Sequence, residues 1–170
     1  DRTQSAIGKL SSRFTPKIKT VLTGRYSENQ RQPYSHDWKY IPEQYIKNRE
    51  YSRQGTLALT HSVMEDLFYD VRLSYFSQSY YSGIDKDTSQ YISTADRAYF
   101  PIGTGFEFYS KADPVEVIDN RTKTLDFKGD LVWQLGKSNE VKFGVEFKKH
   151  TLDYFNVYDP KRNFPYITSY

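Results

Sequence analysis

The stretch Thr56-Leu57-Ala58-Leu59-Thr60-His61-Ser62-Val63-Met64-Glu65-Asp66-Leu67-Phe68-Tyr69-Asp70-Val71-Arg72-Leu73-Ser74-Tyr75 decides the fold. In its second arm Leu67, Tyr69, Val71, Leu73 and Tyr75 fall on one side. Phe68, Asp70, Arg72, Ser74 and, further on, Gln78 fall on the other. Alternation of period two sustained over about nine residues marks a strand, since a helix repeats every 3.6. In the first arm Tyr51, Leu57 and Leu59 oppose Thr56, Ala58 and Thr60. Between the arms lies the short polar turn Val63-Met64-Glu65, so the two pair as a hairpin.

Working outward, the same unit recurs. Gln4–Phe14 carries Ala6, Gly8, Leu10 and Phe14 on one parity, then comes Thr15-Pro16-Lys17. Ile18, Thr20, Leu22, Gly24 and Tyr26 follow, opposed by Lys19, Val21, Thr23 and Arg25. In Thr122–Leu135, Leu125, Phe127, Leu131, Trp133 and Leu135 oppose Asp126, Lys128, Asp130 and Gln134. After Gly136-Lys137-Ser138, Val141, Phe143, Val145 and Phe147 oppose Lys142, Glu146 and Lys148, in a strand that extends to about Tyr158. Long polar connections occupy residues 28–48 and 82–121. The second carries apolar patches at Ala98–Ile102 and Val115–Ile118, and is long enough for a small strand pair of its own. Residues 159–170 read as the start of another long loop.

Short turns thus alternate with long loops, which is the layout of an outer-membrane β-barrel and which a soluble sandwich has no reason to adopt. The predicted fold is all-β: an antiparallel up-and-down meander of about six strands. Residues 1–170 form a single segment of a large transmembrane barrel, with short inner turns and long outer loops. Four of the strands reach the roughly 9–11 residues that a tilted strand needs to cross the hydrocarbon core.

Composition agrees. Hydrophobic residues are 37% and mean hydropathy is −0.78, too low for a membrane-spanning helix. The 16 tyrosines suit strands and membrane–water interfaces. Cysteine is absent, which removes disulfides and thiolate metal sites. A net charge of +3 does not argue for nucleic acid. The chain begins at Asp1 with no leader pattern, and is read as a piece of a longer precursor.

Register in the last hairpin follows from its charges. Like faces must meet, so paired residue numbers sum to an even value. One such register sets Lys128 opposite Glu146 and Asp126 opposite Lys148; the next sets Lys128 against Lys148, which repels. The first is expected, and it makes the polar face a self-neutralising ladder suited to a wet lumen.

The stretch Thr60–Phe76, and Leu125-Asp126-Phe127-Lys128-Gly129-Asp130-Leu131 with Val141-Lys142-Phe143-Gly144-Val145-Glu146-Phe147, resemble barrel hairpins of TonB-dependent outer-membrane receptors. The likeness spans about residues 6–158 and is nearest to receptors with a carboxypeptidase-regulatory-like N-terminal domain. The resemblance implies a barrel of about 22 strands with a plugged lumen, and import of a scarce nutrient driven by an inner-membrane energy-coupling complex through an N-terminal part. Plug, coupling box and closing strand have no counterpart in these residues. Six strands do not close a barrel, since the smallest have about eight. Expected partners are outer-membrane lipid and a small-molecule, glycan or peptide ligand. The rival reading is a soluble all-β ligand- or carbohydrate-binding module.

No covalent chemistry or cofactor is expected. His36, His61 and His150 lack metal-ligand spacing, and His150 with Asp153 or Asp126 is the one catalytic candidate, ranked last. Asp85-Lys86-Asp87 lacks the Gly and Glu of a calcium loop. Gly103-Thr104-Gly105 lacks the strand–helix context of a nucleotide site. Asn120-Arg121-Thr122 is a bare glycosylation triplet. Loop residues Tyr34, Tyr40, Tyr45, Tyr91, Tyr99 and Phe100 are the candidate ligand contacts, by stacking; Tyr80 and Tyr81 belong to the same aromatic set. Tyr26, Tyr51 and Tyr81 suit an outer aromatic girdle, and Phe14 and Trp133 an inner one. Leu73, Leu131, Trp133, Phe143 and Val145 are expected to face lipid.

Overall fold

The computed structural model describes residues 1–85, 87–100, 107–136, 138–160 and 165–167. Six long strands form an antiparallel meander: β1 (Arg2–Thr15), β2 (Ile18–Arg31), β3 (Lys47–Ser62), β4 (Leu67–Gly83), β7 (Glu116–Leu135) and β8 (Asn139–Tyr158). A short β9 (Pro165–Ile167) continues the sheet, in the order β1-β2-β3-β4-β7-β8-β9. β5 (Ala98–Tyr99) and β6 (Tyr109–Lys111) form a separate pair inside the long second loop. The all-β antiparallel meander expected from sequence is therefore present. No closed barrel is seen among the described residues.

Three short turns share one end. At the first, the Thr15 hydroxyl accepts hydrogen bonds from the amides of Lys17 and Ile18, at 3.3 and 3.1 Å, and a bulge falls at Phe14. At the third, Gly136 has φ +72°, a left-handed conformation that a Cβ would strain. Lys137 lies outside the described residues. Amide-to-carbonyl bonds lace neighbouring turns together: Ser62 donates to Lys17 and Gln134 to Asp66.

Pairing puts like faces together across the whole sheet. One row runs Leu10, Leu22, Leu57, Leu73, Phe127, Phe147. Nearer the turns, rows contain Leu59, Val71 and Val145, then Ile18, Tyr69, Leu131 and Phe143, then Leu67, Trp133 and Val141. Nearer the loops, one row runs Gly8, Gly24, Gly55, Tyr75, Leu125, Lys149, beyond which this face becomes polar. The opposite face carries Lys9, Thr23, Thr56, Ser74, Asp126 and Lys148 in one row, and Arg72, Lys128 and Glu146 in the next.

The last hairpin adopts the expected register, with Lys128 opposite Glu146 and Asp126 opposite Lys148. The charge network differs in detail. Lys148 bonds Asp126 at 3.2 Å and also Glu146, on its own strand, at 3.0 Å; Lys128 turns to Asp130 at 3.5 Å. Residues two apart on one strand share a face, so strand neighbours compete with cross-strand partners.

The strands outrun their apolar alternation. β2 continues through Ser27–Arg31, β4 through Gly83, and β7 starts at Glu116. The loops therefore shrink to residues 32–46 and 84–115. Ladder bonds need only backbone, so residues without an alternating apolar face extend a strand without leaving a periodic signal. Residues 165–167 likewise pair with Phe155–Val157 instead of lying in a loop.

Buried hydrophobic side chains are Trp38, Ile41, Ile84, Tyr91, Phe108, Ala112, Val117 and Val157. All lie in the two long loops or at the loop ends of strands. Leu73, Trp133, Phe143 and Val145 are 45, 44, 66 and 49% exposed, and Leu131 is half-buried. No second sheet covers them among the described residues.

Replacing Lys148 by Glu should destabilise the last hairpin, and adding Asp126→Lys should restore it. The coupling expected from a double-mutant unfolding cycle is about 0.2–1 kcal/mol.

Candidate functional site

The two long loops fold onto one another at one end of the sheet. Loop 32–46 contains single 3-10 turns at His36–Trp38 and Pro42–Gln44. Pro42 opens the second turn, where its missing N–H costs nothing. These turns present Trp38 and Ile41 to Ala112, with Tyr45 and Tyr109 packed alongside. The ring of Trp38 lies 5.0 Å from Tyr45 and 4.9 Å from Tyr109. His36 lies 4.9 Å from Phe108, and Tyr40 meets both Phe100 and Phe108 edge-on at 5.2 Å. An aromatic clasp thus joins loops on either side of the β3–β4 hairpin.

A second cluster, Ile84, Tyr91 and Val117 with Tyr81, anchors the second loop to the strand ends. Arg97 threads between them, donating to the Asp113 carbonyl at 2.8 Å and the Tyr109 hydroxyl at 3.3 Å, with its guanidinium 5.3 Å from the Tyr109 ring. Asp113 accepts from the Ile92 amide at 2.7 Å, and Thr94 donates to Asp159 at 3.1 Å. Arg49 pairs with Asp85.

Local electrostatics follow from these contacts. The hydrogen bond to Arg49 holds the Asp85 carboxyl below the usual carboxylate range. The Ser89 amide does the same for Asp87. Burial pushes the Tyr91 hydroxyl well above its ordinary value, and a bond to Tyr109 raises Tyr99. None of these groups is poised to exchange a proton near neutrality.

The candidate ligand contacts separate into distinct environments. Tyr34 is 77% exposed, and Tyr40, Tyr99 and Phe100 are also exposed on the clasp. Tyr45 is half-buried against Trp38. Tyr91 is 1% exposed, with its hydroxyl between the amide and carbonyl of Ile84. It supports the loop from within. A depression of about 170 Å³ is lined by Gln32, Pro33, Tyr34, Ser35, Trp38, Lys39, Pro42 and Tyr45. Ordinary ligand pockets hold about 300–1,000 Å³, so it fits one ring and not a large ligand. Ring faces beside an ammonium and an amide suit stacking on a sugar or another flat polar group.

Sequence reasoning passed over Trp38, Phe108 and Tyr109, which hold the clasp together. Large apolar side chains in a polar loop were the available signal, since a solvated loop has no use for them.

The histidines separate. His36 accepts or donates to the Tyr34 hydroxyl at 3.1 Å, His61 to Tyr69 at 3.0 Å and His150 to Thr124 at 2.9 Å. Register places Asp153 on the face opposite His150, and Asp126 is held by Lys148. Among the described residues no three His, Asp or Glu side chains are grouped to hold a metal. Asn120 lies within β7, opposite Tyr80 and Tyr154. Lys86, Gly103-Thr104-Gly105, Ile102, Asn163-Phe164 and Tyr170 lie outside the described residues. No family model, curated protein or solved structure matches the chain.

Replacing Trp38 by Ala should open the clasp locally. Core Trp→Ala changes cost about 3–5 kcal/mol, and here the loss falls on the loops. The expected readout is faster protease cleavage within residues 87–97, with the strand signal in far-UV circular dichroism retained.

Proposed function

We propose that this chain is a wall segment of a TonB-dependent outer-membrane receptor, and that its clasped loops form part of the outer mouth for a scarce nutrient. The carrying observation is the apolar band. It runs along one sheet face from Leu67, Trp133 and Val141 to Tyr75 and Leu125, uncovered, while the buried side chains sit in the loops. A soluble module would place its core where this chain exposes Leu, Phe and Val. Leaving such a side chain in water forfeits about 1.5–3 kcal/mol, so the band requires a cover.

Its dimensions suit lipid. From Leu67 to Tyr75 on β4 and from Leu135 to Leu125 on β7, it extends about 27–33 Å along the strands at ~3.3 Å per residue. At the ~40° tilt of barrel strands that is about 20–25 Å, near the ~25 Å band of outer-membrane barrels. Tyr26, Tyr51 and Tyr81 share its face at the loop end, where an aromatic girdle belongs. The charged opposite face suits a wet lumen. The energy-coupling complex and the plug belong to parts of the receptor other than these strands, and the wall itself carries no catalytic role.

Two measurements test this. Leu131→Arg or Val145→Arg should cost about 2–4 kcal/mol near the bilayer midplane, read as lost folding into lipid vesicles; no loss would point to a soluble module. In cells carrying the parent protein, a label at Asp87→Cys should react from outside and one at Met64→Cys should not. Deleting residues 88–112 should then weaken ligand uptake while the barrel still assembles; unchanged uptake would move the ligand site away from the loops.

A further inference from the structure

A concavity lies on the apolar face, immediately loopward of the band. Two consecutive rows cross β3, β4 and β7: Arg53–Ser77–Lys123 and Tyr51–Ser79–Arg121. The serines are short and their neighbours long. The result is a tray of about 380 Å³ lined by Tyr51, Arg53, Ser77, Ser79 and Arg121. Two hydroxyls form its floor and cationic side chains its walls.

The charges that line this tray, Arg53 and Arg121, and those that neighbour it in register, Lys123 among them, are unevenly engaged. Arg121 is held by Asp119 at 2.8 Å. Glu28, opposite Tyr51, is occupied by the Tyr26 hydroxyl at 2.7 Å and the Gln30 amide at 2.6 Å. Asp153 stands across from Arg121. Arg53 leans over the Tyr26 ring at 5.9 Å. Among the described residues neither Arg53 nor Lys123 forms an ion pair. They flank Ser77 from both sides, and Lys149 adds a third cation one row nearer the band.

The row beneath the tray contributes a second observation. At Gly24 and Gly55 a Cβ would meet nothing within 4 Å. These two positions and Gly8 make a slot across three strands, ended by Tyr75 and floored toward the turns by Leu22, Leu57 and Leu73. The slot opens directly under Arg53.

We infer that the tray and slot together bind an anionic membrane lipid. Its phosphate sits on Arg53, Lys123 and the hydroxyls of Ser77 and Ser79, and an acyl chain lies in the glycine slot. A guanidinium fork matches phosphate oxygens in pairs, and serine hydroxyls donate to those that remain. Cations that border an apolar band stand at the depth of lipid headgroups. Inorganic phosphate offers the same head contacts but nothing to the slot. This site rests on the membrane reading proposed above.

The test uses the parent receptor that contains these strands, refolded into zwitterionic phosphocholine micelles and titrated with short-chain phosphatidylglycerol, with phosphatidylcholine and with inorganic phosphate. Phosphatidylglycerol should bind at least about tenfold more tightly than either comparator, because cations at headgroup depth favour an anionic lipid. Arg53→Gln with Lys123→Gln should abolish that preference, and Gly55→Leu should weaken it by filling the slot. Lys9→Gln with Arg25→Gln, on the opposite face, should leave it intact. Should the double glutamine variant fail to fold, Arg53→Gln alone carries the same expectation. Equal binding of inorganic phosphate would make this a bare anion site, and equal loss in the opposite-face variant would make it a net-charge effect; either overturns the proposal. A chain that enters micelles but binds both lipids alike sinks the site alone. A parent protein that stays out of them, remaining folded in water, sinks the membrane reading as well.

Discussion

The apolar sheet face is left uncovered, and since exposing it to water costs free energy, that uncovered face is the constraint on which the rest of this structure depends. Over the turn-side half of the sheet the long strands place most leucine, valine and aromatic side chains on one face and most charges on the other. No helix or second sheet among the described residues lies over the apolar side. The buried cores belong to the loops instead. A hydrophobic core normally organises a sheet from within, whereas here hydrogen-bonded pairing organises the sheet and the core organises what projects from its end.

The sheet was legible in the sequence because the turn-side half of one face is apolar on nearly every strand. Leu67, Tyr69, Val71, Leu73 and Tyr75 keep one parity throughout, and the register of the last hairpin followed from its face parity together with Asp126, Lys128, Glu146 and Lys148. Legibility failed where that uniformity ends. Ser27–Arg31 are polar on both sides and Glu116–Arg121 carry apolar residues only at Val117 and Ile118, on opposite faces, yet both segments remain in the ladder because backbone pairing is indifferent to side-chain polarity. A short strand at 165–167 was equally silent, since so few residues carry no period.

The candidate site was legible only as composition. Tyrosines crowd the loops, but which of them face solvent depends on partners distant in sequence. Tyr91 resembles Tyr34 in its surroundings along the chain, and the fold buries one and exposes the other. What separates them is the contact of Tyr91 with Ile84 and Val117, at the ends of β4 and β7. Those ends meet only because the two strands pair across a long excursion. No local pattern encodes such a contact.

The clasp between the loops also bears on the order of assembly. Trp38 belongs to the β2–β3 connection and Tyr109 to the β4–β7 connection, while Thr94 reaches Asp159 beyond β8, a separation of 65 residues. Closing such long segments costs entropy that only prior pairing of the strands can reduce. The clasp is therefore expected to close last, after the β3–β4 hairpin and the β7–β8 hairpin are both in register. A one-residue slip in any of these strands would turn its apolar positions to the wrong face and carry Trp38 or Tyr109 out of reach. Ring contact between the two loops would thus act as a check on register, closing only over a sheet that has been paired correctly.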